Sequence, residues 1–173
     1  MKNSKTINSE LELIQKFLFQ TGGFEISNIK AEPESQKYLA YQFLINGKQA
    51  IFRKGKITPT KIGQFVTIWK RNDKGITVPF DINDNIDFFI IATRKDENFG
   101  VFIFPKNALL KNRILTTEEK DGKRGIRVYP IWDQAINPQA QKTQLWQTKY
   151  FINLSEEKEI DLKRIYKALL QKA

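Results

Sequence analysis

The side chains able to do chemistry here are carboxylates, lysines, arginines and hydroxyls, because the chain has neither histidine nor cysteine. That absence removes Ser-His-Asp hydrolysis, HNH-type and HD-type chemistry, thiolate nucleophiles, disulfides and Cys-based zinc sites. Carboxylate–lysine chemistry survives, with Mg²⁺ held by oxygens as its natural cofactor. The acids that could serve are Glu32 and Glu34, then Asp81, Asp84 and Asp87 in the run DINDNID. Asp-x-x-Asp-x-x-Asp lacks the glycine and distal glutamate of a calcium loop, so turn and strand-entry roles are favoured. Lys54 and Lys106 are the amines that follow Glu34 and Asp87 at the far ends of two strand-like segments. No phosphate-cradling glycine loop is present, which argues against a nucleotide-driven motor or kinase.

The cations are more distinctive than the acids. Ile51 to Arg71 carries Arg53, Lys54, Lys56, Lys61, Lys70 and Arg71 without one intervening carboxylate. The whole chain shares this bias, with 29 Lys and Arg against 19 Asp and Glu, a net charge of +10. Such a balance suits a polyanion, since neutralising phosphates releases condensed counterions. The six residues above are therefore the expected nucleic-acid contacts, with Thr58 assisting from a helix start. Lys106, Arg124 and Arg127 form a second tier. Two further basic sets, Lys106/Lys111/Arg113 and Lys120/Lys123/Arg124/Arg127, would build a track with the first if all three shared one face.

Several elements must position these residues. Ser9 to Gln20 reads as a helix, with a Ser9–Glu12 capping box, Leu11, Ile14 and Leu18 on one face and Gly22-Gly23 as its stop. Ile26 to Lys37 is polar and reads as loop. Leu39–Ile45 and Lys48–Lys54 flank Asn46-Gly47, a two-residue hairpin turn that pairs Ile45 with Lys48, Phe43 with Ala50, Tyr41 with Phe52 and Leu39 with Lys54. Pro59 to Arg71 is expected as a helix capped by Thr58, its stripe being Ile62, Phe65, Val66 and Trp69. Ile86–Thr93 and Phe99–Phe104 form a second hairpin, and Pro105 opens a short helix. Thr116 to Gly125 reads as a flexible charged loop, Ile126–Trp132 and Lys149–Leu154 as strands, and Ser155–Lys172 as a final helix with Leu162, Ile165, Tyr166 and Leu169 inward.

With 40% hydrophobic residues, including 13 Phe, the chain can build a core. It reads as one α+β domain over residues 1–173, a central, mostly antiparallel mixed sheet flanked by helices. No apolar run is long enough to span a bilayer and the first residues do not form a secretory signal, so a cytoplasmic location is expected.

The hairpins invite comparison with the PD-(D/E)XK nucleases, which need neither His nor Cys. There an acid, then an acidic residue and a lysine two apart on a strand, hold Mg²⁺ and activate water. Here Glu34 precedes Phe52-Arg53-Lys54 and Asp87 precedes Phe104-Pro105-Lys106, so phenylalanine stands where the central carboxylate belongs. The scaffold would then be a degenerate nuclease. The stretches AIFRKGKITPTKIGQFVTIWKR, FGVFIFPKNALLKNRIL and GIRVYPIWD resemble the MepB-like family of small bacterial proteins, from about residue 24 to 154. The resemblance implies a nuclease-like α/β scaffold, nucleic-acid binding without an established reaction, and a stress or drug-resistance context. The expected function is phosphate-backbone binding of nucleic acid without a cofactor. A divergent Mg²⁺-dependent nuclease using Glu34 or Asp87 with Lys54 or Lys106 is one alternative, and a protein-interaction module another.

Overall fold

Two apolar hairpins at the centre of the chain set the architecture. The structure, a computed structural model, describes residues 9–155 and 161–170, without the side chains of Leu18 and Leu162. In chain order it begins with α1 (Ser9–Ile14), continued by a wider π-helical segment over Gln15–Gln20. Strands β1 (Ile26–Ala31), β2 (Tyr41–Ile45), β3 (Lys48–Lys54), β4 (Lys56–Thr58), β5 (Lys61–Thr67), β6 (Trp69–Arg71) and β7 (Thr77–Pro79) follow. Then come β8 (Phe88–Lys95), β9 (Asn98–Pro105), α2 (Lys106–Lys111), β10 (Gly125–Val128), α3 (Pro138–Gln147), β11 (Phe151–Asn153) and α4 (Leu162–Leu170).

The main sheet has six strands in the order β1-β2-β3-β8-β9-β11. Every neighbouring pair is antiparallel except β3 and β8, which run parallel, so the expected α+β class with a mostly antiparallel mixed sheet is what is found. Strands alternate their side chains between faces, and both faces here are covered. On one face Phe43, Phe52, Ile90 and Val101 pack beneath Leu11, Ile14, Phe19, Ile165 and Leu169 of the helical segments. On the other, Ile51, Phe89, Ile91, Phe102 and Phe104 pack against Val66, Ile68, Ile126, Val128 and Leu109. This second layer is a three-stranded sheet, β10-β5-β4, accompanied by α2.

The first hairpin has the expected register, Tyr41–Phe52, Phe43–Ala50 and Ile45–Lys48. Its fourth expected pair does not form, because Leu39 lies outside β2 with φ at 48°. The second hairpin, β8–β9, and the short helix after Pro105 also match the reading of the sequence. The final helix is found over Leu162–Leu170, with Ile165 and Leu169 buried and Tyr166 exposed. Residues 156–160 and 171–172 of the expected span, and the Leu18 and Leu162 side chains expected to face inward, lie outside the described residues.

Three expectations are corrected, and one helix is found where no element was expected. Pro59–Arg71 is not a helix: Pro59 and Thr60 are the turn between β4 and β5, and the chain continues as β5 and β6. The β-branched residues Thr60, Ile62, Val66, Thr67 and Ile68 favour strand, and Gly63 at φ 82° cannot sit inside a helix. Ile26–Ala31 is a strand, bulged around Asn28, rather than loop. Pro138–Gln147, unassigned from sequence, is a helix capped by Asn137, whose side chain accepts from the Ala140 N–H at 2.8 Å, with Pro138 in the first turn. The charged loop after Thr116 is folded back on itself: Gly122 N–H donates to Thr116 Oγ1 and Lys123 N–H to the Ile114 carbonyl, both at 2.9 Å.

Candidate nucleic-acid interface

Most cations of the 51–71 block are already paired. Arg53 is fully buried between the two sheets, and its guanidinium donates to both Glu32 carboxylate oxygens at 2.7 and 2.9 Å, 5.7 Å from the Phe89 ring centre. This corrects its assignment as a surface phosphate contact, because Arg53 alternates with Phe52 and faces the inter-sheet layer. Lys54, on the opposite face, reaches the buried Glu10 carboxylate of α1 at 3.1 Å, which Arg94 also contacts at 3.1 Å. Lys70 is ion-paired with Asp84. Arg71 is paired with Glu34, whose hydrogen bond and then whose charge raise the Arg71 pKa above its ordinary value. Lys56 is exposed and sits 4.9 Å above the Tyr38 ring.

Of the four candidate catalytic residues the fold brings Asp87 and Lys106 together, the Lys106 N–H donating to the Asp87 carbonyl at 3.0 Å, while each of the four side chains is engaged in a contact of its own. Glu34 holds Arg71, and Lys54 holds Glu10. Asp87 accepts from the Gln49 N–H at 2.8 Å, and the Lys106 ammonium donates to the Asp84 carbonyl at 2.7 Å. Asp81 and Asp84 close their own turn, accepting from the N–H groups of Asn83 and Asp81. Among the described residues no three carboxylates come together as a metal site.

A different set of cations converges. Between the β4–β5 turn, β10, the end of α2 and α3 lies a groove of about 880 Å³ lined by Lys61, Arg113, Lys123, Arg127 and Lys142, and by no carboxylate. Each of the three basic sets read from sequence contributes to it: Lys61 from the first, Arg113 from the second, Lys123 and Arg127 from the third. Among the described residues Lys61, Arg113, Lys123 and Lys142 have no ion-pair partner. Arg127 is the brace: it donates to the carbonyls of Ile62 and Gly63 at 3.3 and 3.2 Å and to Thr58 Oγ1 at 3.0 Å. Thr58 therefore receives a guanidinium in a strand, and the helix N-terminus expected beside it does not exist. Arg124 lies outside this groove, with Lys70, and donates to the Thr77 carbonyl at 3.3 Å.

The α3 wall was missing from the sequence reading. Lys142, Gln139 and Thr143 reach the groove from that helix. Buried Gln147 fastens it to β10, accepting from the Tyr129 N–H at 2.9 Å and donating to the Arg127 carbonyl at 3.0 Å. The Asn137-Pro138 pair was the available signal for this helix.

A mixed-sheet α+β protein with an open, carboxylate-free cationic groove is the class these features define. A family model described as MepB-like matches residues 32–153, and the chain belongs to that family. A solved structure, "Crystal Structure of MepB", is 33% identical with a TM-score of 0.75, covering 92% of this chain and 100% of its own. A bacterial homing endonuclease, I-Ssp6803I, aligns with a TM-score of 0.48 and 11% identity over 82% of this chain and 88% of its own. No curated protein matches the chain. Among the described residues no helix is long and apolar enough to cross a membrane.

Proposed function

We propose that this protein binds nucleic acid through phosphate contacts in the groove between the β4–β5 turn and α3. The observation that carries the reading is the lining itself, with five cations and no acid. Four cations of the 51–71 block, Arg53, Lys54, Lys70 and Arg71, are each held by a carboxylate, whereas no carboxylate lines this groove and its positive potential is left for a partner. The contacts are Lys61, Arg113, Lys123 and Lys142, with Arg127 holding the wall. The reading is of a binder rather than a nuclease, because the side chains of Glu34, Asp87, Lys54 and Lys106 are each occupied in structural contacts. A cytoplasmic setting fits such a partner.

The test is fluorescence anisotropy of labelled oligonucleotides over a salt series. Replacing Lys61 and Lys142 by Ala is expected to weaken binding across sequences and to lower the slope of log affinity against log salt by about 2 units, roughly 0.9 per lost phosphate contact. An unchanged slope would overturn the assignment. Affinity that is salt-tolerant and indifferent to nucleic acid would favour a protein partner instead.

A further inference from the structure

The β4–β5 turn also borders a second cleft, of about 560 Å³, whose walls include Ile57, Pro59, Ile62, Trp132 and Ile136. Ile57, Ile62 and Ile136 are 56, 36 and 77% exposed, so aliphatic surface stands open to solvent there. Trp132 is fixed by the Phe151 ring, edge-on with centroids 5.4 Å apart. Two ammonium groups line the same space, Lys61 from the turn and Lys95 from the end of β8. The one carboxylate in that lining, Asp133, is buried and already bonded to Lys95 at 3.4 Å. β4 itself is the edge strand of the second sheet, joined to β5 alone. Among the described residues no main-chain bond outside that pairing involves Lys56, Ile57 or Thr58.

Exposed apolar side chains gathered in one place and rimmed by polar groups mark a surface that another protein covers. A free strand edge takes an extended segment through main-chain hydrogen bonds, while alternate side chains fill pockets beside it. Here the pocket is aliphatic and its open charge is positive. The segment that fits carries aliphatic side chains flanked by carboxylates that meet Lys61 and Lys95. A polynucleotide has no aliphatic side chains to offer and would leave the three isoleucines uncovered. We propose that the cleft docks an extended acidic segment of a partner protein along β4, its aliphatic side chains against Ile57, Ile62 and Ile136. Lys61 and Ile62 also line the phosphate groove, so the segment and nucleic acid compete for them. The competition rests on the phosphate-contact reading above; the docking does not.

The experiment measures fluorescence anisotropy of three labelled peptides of equal length, without nucleic acid and at one ionic strength. One alternates Asp and Leu, one alternates Asp and Ser to keep the charge alone, and one alternates Lys and Leu to keep the apolar pattern alone. The Asp-Leu peptide is expected to bind at least about tenfold more tightly than either control, because aliphatic burial and charge act together. Ile57→Ser should weaken its binding by about tenfold and leave oligonucleotide affinity unchanged, since Ile57 lies outside the phosphate groove. The oligonucleotide of the salt series, added unlabelled, should displace the peptide. Equal affinity for the Asp-Leu and Asp-Ser peptides would overturn the docking and leave the phosphate reading intact. If Ile57→Ser weakens oligonucleotide binding as much as peptide binding, the cleft continues the nucleic-acid path and the docking is overturned. Simultaneous binding of peptide and oligonucleotide would overturn the shared use of Lys61. An oligonucleotide that never binds, beside a peptide that does, would overturn the phosphate reading and support the docking. The three-peptide comparison uses the unaltered protein, so it decides the matter even if Ile57→Ser fails to fold.

Discussion

Two groups of cations in this chain have opposite fates. Arg53, Lys54, Lys70 and Arg71, close together in sequence, are each matched to a carboxylate: Glu32, Glu10, Asp84 and Glu34. Lys61, Arg113, Lys123 and Lys142, far apart along the chain, meet in one groove without an acid among its lining. The clustered group resembles a binding site in one dimension and is largely spent on cohesion in three. The dispersed group draws one member from each of three separate basic sets and a fourth, Lys142, from outside them, and has no ion-pair partner among the described residues. Charge available to a partner is the charge left after folding has paired the rest, and pairing is decided by topology.

The sharpest test of this contrast is Arg53. Replacing it by Ala leaves Glu32 in a part-buried site without its counter-charge, an arrangement that costs about 3–5 kcal/mol. For a chain of this size that is a drop in Tm of roughly 10–15 °C. Replacing both partners, Arg53→Met with Glu32→Leu, should recover much of the loss, because the penalty comes from the orphaned charge. Thermal unfolding of the single and double variants measures this directly. If Arg53→Ala instead keeps its Tm and loses affinity for nucleic acid, the arginine is a contact after all, and the comparison fails.

The parts of the fold legible in sequence were those specified locally. Asn46-Gly47 fixes its hairpin because only φ > 0 residues fit the turn, and alternation carries the register outward from it. The error at 59–71 has an equally local cause. Ile62, Phe65, Val66 and Trp69 happen to repeat at helical spacing, yet the face that is buried is Gln64, Val66 and Ile68, at the period of a strand. A buried glutamine disguised that alternation. The converse holds for α3, which carries no apolar stripe: Leu145 is exposed and Gln147 is buried. Polar contacts anchor it, Gln144 donating to the carbonyls of Pro130 and Asp133, and no hydrophobic periodicity announces such a helix. The groove was half-visible for the same reason. Its basic sets could be named, but the helix forming its far wall, and the ion pairs that remove Arg53 and Lys54 from play, depend on residues distant in sequence.

That dependence makes Gln147 the next position to probe. Gln147→Ala leaves the Tyr129 N–H and the Arg127 carbonyl without their partner, at a cost of about 1–3 kcal/mol. It also releases α3 from β10, so affinity should fall even though no cation is lost. Gln147→Glu keeps an acceptor for the Tyr129 N–H but buries a charge and sets an oxygen against the Arg127 carbonyl, and should destabilise at least as much as Ala in chemical denaturation. If Gln147→Ala loses stability and retains full affinity, the α3 wall does not belong to the interface.

The smallest effects are expected where the sequence appeared most suggestive. Lys70 and Arg71 sit on β6, about half-exposed, and are paired with Asp84 and Glu34. Exposed pairs of this kind contribute little to stability, because solvent screens them and two long side chains must be held in one geometry. They also contribute little to a partner's phosphates while their carboxylates stay beside them. Lys70→Ala with Arg71→Ala should leave the unfolding midpoint and the salt slope close to those of the unaltered chain. Opposite behaviour would be informative. If the salt slope falls as far as it does for Lys61→Ala with Lys142→Ala, the Asp84 and Glu34 pairs open when nucleic acid arrives, and the interface extends from the groove past Arg124 to β6.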